Sequence, residues 1–196
     1  MEAFFVSIGT IAIAEIGDRT QLLSLILAAR YRRPLPIIAG IVCATLVNHT
    51  VAGLAGRWFG TFLKPGALMI AVGAGMIAMA LWTLKPDHLD DQSVPSGAAN
   101  AFIATLTSFF LAEIGDKTQI ATLALAAAYA NLAAVVSGTT LGMLAANVPV
   151  VILGRAFADR LPIKAIHYAA SSLFLVLGLL FLGRALWHYS GGSRLG

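Results

Sequence analysis

Polar residues in this chain come in short clusters, and between the clusters lie long apolar runs. The runs occupy residues near 3–29, 35–56, 66–84, 101–128, 132–153 and 165–187. Each is close to the ~20 apolar residues that cross a hydrocarbon core as a helix. They are continuous rather than alternating and rich in Ala and Leu, so helices are predicted and barrel strands are not. Arg30, Arg32, Arg33 and Pro34 close the first run, and Arg57 to Pro65 close the second. The longest connection, Lys85 to Asn100, carries Pro86, Pro95, Gly97 and several acids. The predicted fold class is an all-α polytopic membrane protein with six transmembrane helices, forming a single membrane domain over residues 1–196.

Composition strengthens this reading. The chain is 59% apolar and only 11% charged, against roughly 25% charged in soluble domains. The formal charge of +4 does not indicate nucleic acid, because the basic residues sit at the ends of apolar runs, where they anchor helices. Cys43 stands alone inside an apolar run, which leaves no disulfide framework or cysteine metal site. The N-terminus is apolar without a basic n-region, so it reads as the first spanning helix and not as a signal peptide.

The chain also repeats itself. At an offset of 98 residues, Ala14-Glu15-Ile16-Gly17-Asp18-Arg19-Thr20-Gln21 falls on Ala112-Glu113-Ile114-Gly115-Asp116-Lys117-Thr118-Gln119. The same offset pairs Tyr31 with Tyr129, Gly40 with Gly138, and Gly56-Arg57 with Gly154-Arg155. Three helices per copy send the second copy in from the opposite side. This predicts two inverted three-helix repeats, 3–84 and 101–187, joined by a cytoplasmic linker at 85–100, with a site near the midplane. Loop charges orient the whole. Arg30, Arg32, Arg33, Lys85, Arg155, Arg160 and Lys164 fall on one side; Arg57, Lys64, Arg184 and Arg194 fall on the other. The positive-inside rule places the richer side, with the central linker, in the cytoplasm and both termini outside it, in the cell's inner (plasma) membrane. Trp58, Trp82, Trp187, Tyr31, Tyr129 and Tyr189 lie near predicted helix ends and suit an aromatic belt.

The chemistry resides in the repeated octapeptide. On a helix Glu15 and Asp18 share a face, with Arg19 close by, and Glu113, Asp116 and Lys117 repeat the arrangement. Ionisable groups at membrane depth cost at least ~2.5–3.5 kcal/mol each on insertion scales, and they usually mark a pathway. The bland alternative is helix glue, with Glu15 bridged to Arg19 and Glu113 to Lys117. Two clusters in equivalent places weigh against it, as does the charge left over. Four carboxylates and two cations sum to −2, which one divalent cation or two protons would neutralise. Oxygen ligands suit Mg²⁺, Ca²⁺ and Mn²⁺, and no Cys or His stands next to either motif to favour zinc or copper. Gln21 and Gln119 offer amide oxygens, and Thr20 and Thr118 offer hydroxyls that also serve their own helix. Gly17 and Gly115 either loosen the helix or allow close packing. Asn48 and Asn147 sit one residue off the repeat register, as supporting groups or as interhelical hydrogen bonds. His49 has no counterpart and reads as packing. His88 with Asp87, Asp90 and Asp91 reads as a solvated loop.

Duplicated Glu-φ-Gly-Asp-(Lys/Arg)-(Thr/Ser) motifs, one opening each half, resemble the Golgi-type calcium/manganese–proton exchanger family, whose bacterial branch includes manganese exporters. The resemblance covers essentially the whole chain. It implies that Glu15, Asp18, Glu113 and Asp116 bind the transported ion, and that Arg19 and Lys117 hold the family's basic position. It further implies a secondary transporter that exports Mn²⁺ (Ca²⁺ second) in exchange for protons, the two halves rocking around the ion. No cofactor is expected, and there is no nucleotide-binding motif. The other readings are a cation channel without proton coupling, a non-transporting scaffold and an intramembrane metalloenzyme. Two repeats can enclose a site in a monomer, and a homodimer is equally compatible.

Overall fold

The computed structural model describes residues 1–84, 100–154 and 162–192. Lys85, the linker cluster Asp87, His88, Asp90 and Asp91, the basic Arg155, Arg160 and Arg194, and the side chain of Tyr189 lie outside the described residues. Eight helices account for nearly all of the described chain: α1 Glu2–Glu15, α2 Arg19–Tyr31, α3 Pro34–Phe62, α4 Pro65–Thr83, α5 Ala101–Glu113, α6 Lys117–Ala128, α7 Leu132–Leu153 and α8 Ile163–Gly192. Two short helices followed by two long ones recur in the same order.

Four of these helices are long and apolar enough to cross a membrane: α3, α4, α7 and residues Lys164–His188 of α8. Their outward faces carry Val47, Val51 and Leu54 on α3, and Leu175, Val176, Leu179 and Leu180 on α8, all exposed. Apolar surface on that scale belongs against lipid rather than water.

Two predicted boundaries need correction. The runs at 3–29 and 101–128 are not single helices, because each breaks at its acidic motif. The second run extends to Phe62 rather than ending at Gly56. Arg57, Trp58 and Phe59 continue the helix with exposed side chains, and Pro65, at the first position of α4, starts the next.

Small residues let the helices approach closely, as membrane packing requires in place of a hydrophobic drive. A methyl group at Gly138 on α7 would stand 2.6 Å from the Phe4 carbonyl oxygen of α1. The equivalent Gly40 on α3 faces α5, where a methyl would stand 3.0 Å from the Phe102 carbonyl oxygen. Contacts also fix directions. Gly138 meets Phe4 and Ser7, and Gly142 meets Ile8 and Ile11, so α7 runs parallel to α1. Gly40 meets Phe102, Asn48 reaches Phe110 and Gly56 abuts Leu123, so α3 runs parallel to α5 and then α6. Gly73 meets Gly178 while Ser171 bonds the Ala80 carbonyl, so α4 and α8 are antiparallel. At one end of the bundle the Tyr129 hydroxyl donates to Glu2 at 3.2 Å and Arg184 approaches the same carboxylate at 3.9 Å. Partial burial and the Glu2 carboxylate push the Tyr129 phenol above its ordinary value.

Candidate cation site at the two helix breaks

Each break is built the same way. Glu15 ends α1, Ile16 is extended, and Gly17 takes φ +84°; Glu113 ends α5, Ile114 is extended, and Gly115 takes φ +72°. A residue with a Cβ pays roughly 1–2 kcal/mol in that left-handed region, which is why both positions are glycine. The Asp18 N–H donates back to the Glu15 carbonyl at 3.0 Å, and Asp116 to Glu113 at 3.1 Å. Asp18 and Asp116 then open α2 and α6 as N-cap residues, a position carboxylates favour. The last carbonyls of α1 and α5 therefore point toward the breaks, as do the first N–H groups of α2 and α6.

The glutamines have a use the sequence did not suggest. Gln21 accepts from the Gly17 N–H at 2.9 Å, and Gln119 from the Gly115 N–H at 2.7 Å. Their amide oxygens are engaged in stapling the turn. Gln21 also donates to the Ala146 carbonyl at 3.1 Å, tying the first break to α7.

The two breaks face each other. Arg19 pairs with Asp116 at 2.9 Å and Lys117 with Asp18 at 2.8 Å, so each half's cation sits on the other half's aspartate. This corrects both the shared-face geometry and the within-helix bridges of the glue reading: Glu15 and Asp18 are not on one helix, and the ion pairs cross between the halves. Ligand atoms of Glu15, Asp18 and Asp116 lie within 4.8 Å of one another. Glu113 stands outside that trio. All four carboxylates are 0–2% exposed and Lys117 is 3%, whereas the Arg19 side chain is 31% exposed. The site is closed to water in this conformation, and Arg19 is its thinnest cover.

The surrounding polar groups differ between the halves. Thr20 donates to Glu15, while Thr118 donates to Asp116 at 3.1 Å. Asn147 donates to Glu15 at 3.4 Å and accepts from Ser24 at 2.7 Å. Asn48 donates to the Phe110 carbonyl at 3.1 Å. Thr45 donates to Glu113 at 2.7 Å. Thr45 and Ser24 escaped the sequence reading. The signal for Ser24 was its repeat partner Thr122, a second hydroxyl at the same place, also buried. The offset of 98 also gives His49 a counterpart, Asn147, which the sequence reading denied it.

Comparison with known proteins identifies the family. Residues 3–91 and 101–188 match the family described as Divalent cation/proton antiporter GDT1. The chain is 49% identical over 180 residues to a Vibrio cholerae serotype O1 protein named "Putative manganese exporter", covering 91% of this chain and 90% of that one. It is 30% identical over 200 residues to a GDT1-like protein of Synechocystis, covering 91% and 96%. It is 25% identical over 238 residues to the yeast Divalent cation/proton antiporter GDT1, covering 94% and 85%. No solved structure matches the chain. The family is one of transporters rather than enzymes, so the metalloenzyme reading is set aside. With both acidic motifs and nearly the whole length matched, the chain belongs to the GDT1 family of divalent cation/proton antiporters.

Proposed function

We propose that this protein exports a divalent cation, Mn²⁺ foremost and Ca²⁺ second, across the inner membrane in exchange for protons. The carrying observation is the meeting of the two breaks: three carboxylates within 4.8 Å, buried, with each half's cation on the other's aspartate. Glu15, Asp18 and Asp116 would hold the cargo ion, with Glu113 as the fourth carboxylate, joined by backbone carbonyls near the ends of α1 and α5. Such a set is all oxygen and suits hard cations. Ionised, it carries −2 after Arg19 and Lys117 are counted, so one divalent ion or two protons balance it. The name of the Vibrio relative favours Mn²⁺, and the family description favours the proton as counter-ion.

The architecture proposed is six crossings in two inverted repeats, 3–84 and 101–187, with α1–α2 and α5–α6 each forming one broken crossing. Contacts at the bundle ends support it. Glu2 at the start of α1 touches Tyr129 at the end of α6 and Arg184 late in α8, so the second copy's first crossing ends where the first copy's begins. The parallel runs of α7 on α1 and of α3 on α5–α6 fit the same inversion. The linker would then lie in the cytoplasm and both termini outside it.

The test is uptake into proteoliposomes under an imposed pH gradient, comparing Mn²⁺, Ca²⁺ and Mg²⁺ for wild type and Asp116→Asn. Gradient-driven Mn²⁺ flux, reduced at least about tenfold in the variant (the order that losing even an outer-sphere partner of a metal ligand costs), is expected. Flux that ignores the pH gradient would make the protein a channel. Absence of flux for all three ions in folded protein would leave the scaffold reading.

A further inference from the structure

His49 is fully buried on α3, and neither ring nitrogen has a hydrogen-bond partner among the described residues. A neutral imidazole always carries one donor and one acceptor, and buried polar groups in folded proteins are normally satisfied. A core histidine held only by packing would be an expensive filler at a fully buried position.

Its surroundings give the position meaning. Thr45, one turn earlier on the same face of α3, donates to Glu113 Oε1 at 2.7 Å. Glu113 Oε2 is the other buried oxygen there; nothing among the described residues stands at hydrogen-bond distance from it, though the Asn48 amide bears on the same carboxylate. Asn48, the residue before His49, is bonded to Phe110 on the same helix as Glu113. The repeat completes the argument. Thr45 and His49 correspond to Met143 and Asn147, and Asn147 donates to Glu15, the counterpart of Glu113. The Glu113 side thus carries the Asn48 amide, and by the repeat register it adds an imidazole, His49, where the Glu15 side has Asn147.

Resting on the transport reading above, we propose that His49 is a specificity-determining ligand. With Glu113 Oε2 it offers the cargo cation one nitrogen and one oxygen, in a station that favours transition-metal cations over Ca²⁺ and Mg²⁺. The chemistry follows from the donor: imidazole nitrogen is a good ligand for first-row transition metals, whereas Ca²⁺ and Mg²⁺ take oxygen almost exclusively. The Glu15 side, with oxygen donors and an asparagine, would not discriminate.

Pulsed electron paramagnetic resonance of Mn²⁺ bound to purified wild-type protein tests this directly, because a coordinated imidazole imprints a ¹⁴N coupling on the Mn²⁺ signal. The expected result is that coupling in wild type and its loss in His49→Asn, which installs the residue of the equivalent position. In proteoliposomes, His49→Asn and His49→Gln are expected to lower the preference for Mn²⁺ over Ca²⁺ by about tenfold while Ca²⁺ transport persists. Bound Mn²⁺ without nitrogen coupling in wild type overturns the assignment even if neither variant folds. Coupling that survives in His49→Asn, or an unmoved Mn²⁺/Ca²⁺ ratio, overturns it as well. Wild-type protein that neither binds nor moves Mn²⁺ overturns the transport reading itself, and His49's role with it.

Discussion

Lys117 is 3% exposed and survives in that state because Asp18 lies 2.8 Å away. Removing one member of such a buried pair leaves the other charge uncompensated, at a cost of about 3–5 kcal/mol, while removing both is far milder. Lys117→Met alone is therefore expected to lower thermal stability in detergent more than Lys117→Met combined with Asp18→Asn. Equal losses from the single and double variants would show that the pair is not coupled. The same comparison at Arg19 and Asp116 should give a smaller effect, because Arg19 is one-third exposed and solvent already shares its charge. Gly17→Ala should cost roughly 1–2 kcal/mol through its φ of +84°, measurable as a lower melting temperature. A variant as stable as wild type would mean the break does not depend on that backbone conformation.

At the scale of the helix, the close contacts sort glycines into two kinds. Gly138 stands against the α1 backbone, while Gly75 on α4 has nothing within 4 Å of where a methyl would go. Gly138→Val should destabilise by about 1–3 kcal/mol through overpacking, whereas Gly75→Ala should be neutral or stabilise by up to ~1 kcal/mol. Equal melting temperatures for the two would contradict the α1–α7 packing. The sequence foretold much of this level. Apolar runs located α4 and α7 almost to the residue, and the 98-residue offset pointed to the paired motifs. The breaks were harder to see. A Gly-Asp step inside an apolar run fits a tolerated helical glycine as well as a left-handed turn and N-cap, and only the Gln21 and Gln119 staples decide between them. Cross-pairing of Arg19 and Lys117 was out of reach, because helical spacing reports neighbours on one helix and says nothing of which helix lies opposite. The counterpart of His49 was hidden for a smaller reason: aligning the asparagines by type obscures its register with Asn147.

For the whole molecule, the packing decides what can move against what. α7 of the second copy lies along α1 and touches α2, and α3 of the first copy lies along α5 and α6. Each broken crossing is thus clasped by a helix from the other copy, with glycines of α7 and α3 set directly against the backbone of α1, α5 and α6. If the proposed exchanger works by bodies turning about the ion, this packing favours chimeric ones, α1–α2–α7 and α3–α5–α6, over the two sequence halves. A disulfide inside one body, Gly60→Cys on α3 with Ala127→Cys on α6 in a Cys43→Ser background, should leave transport intact when oxidised; these sites approach within 4.0 Å. A disulfide between bodies, Gly53→Cys on α3 with Val136→Cys on α7, should arrest it until reduced. Arrest by both bonds would return the motion to the two halves, because each bond joins one half to the other. In that arrangement Arg19 and Lys117 would be more than counter-charges: each bolts its own body to the other's aspartate, and a cation entering the site would have to displace both bolts. Loading the ion and unlocking the bodies would then be a single event.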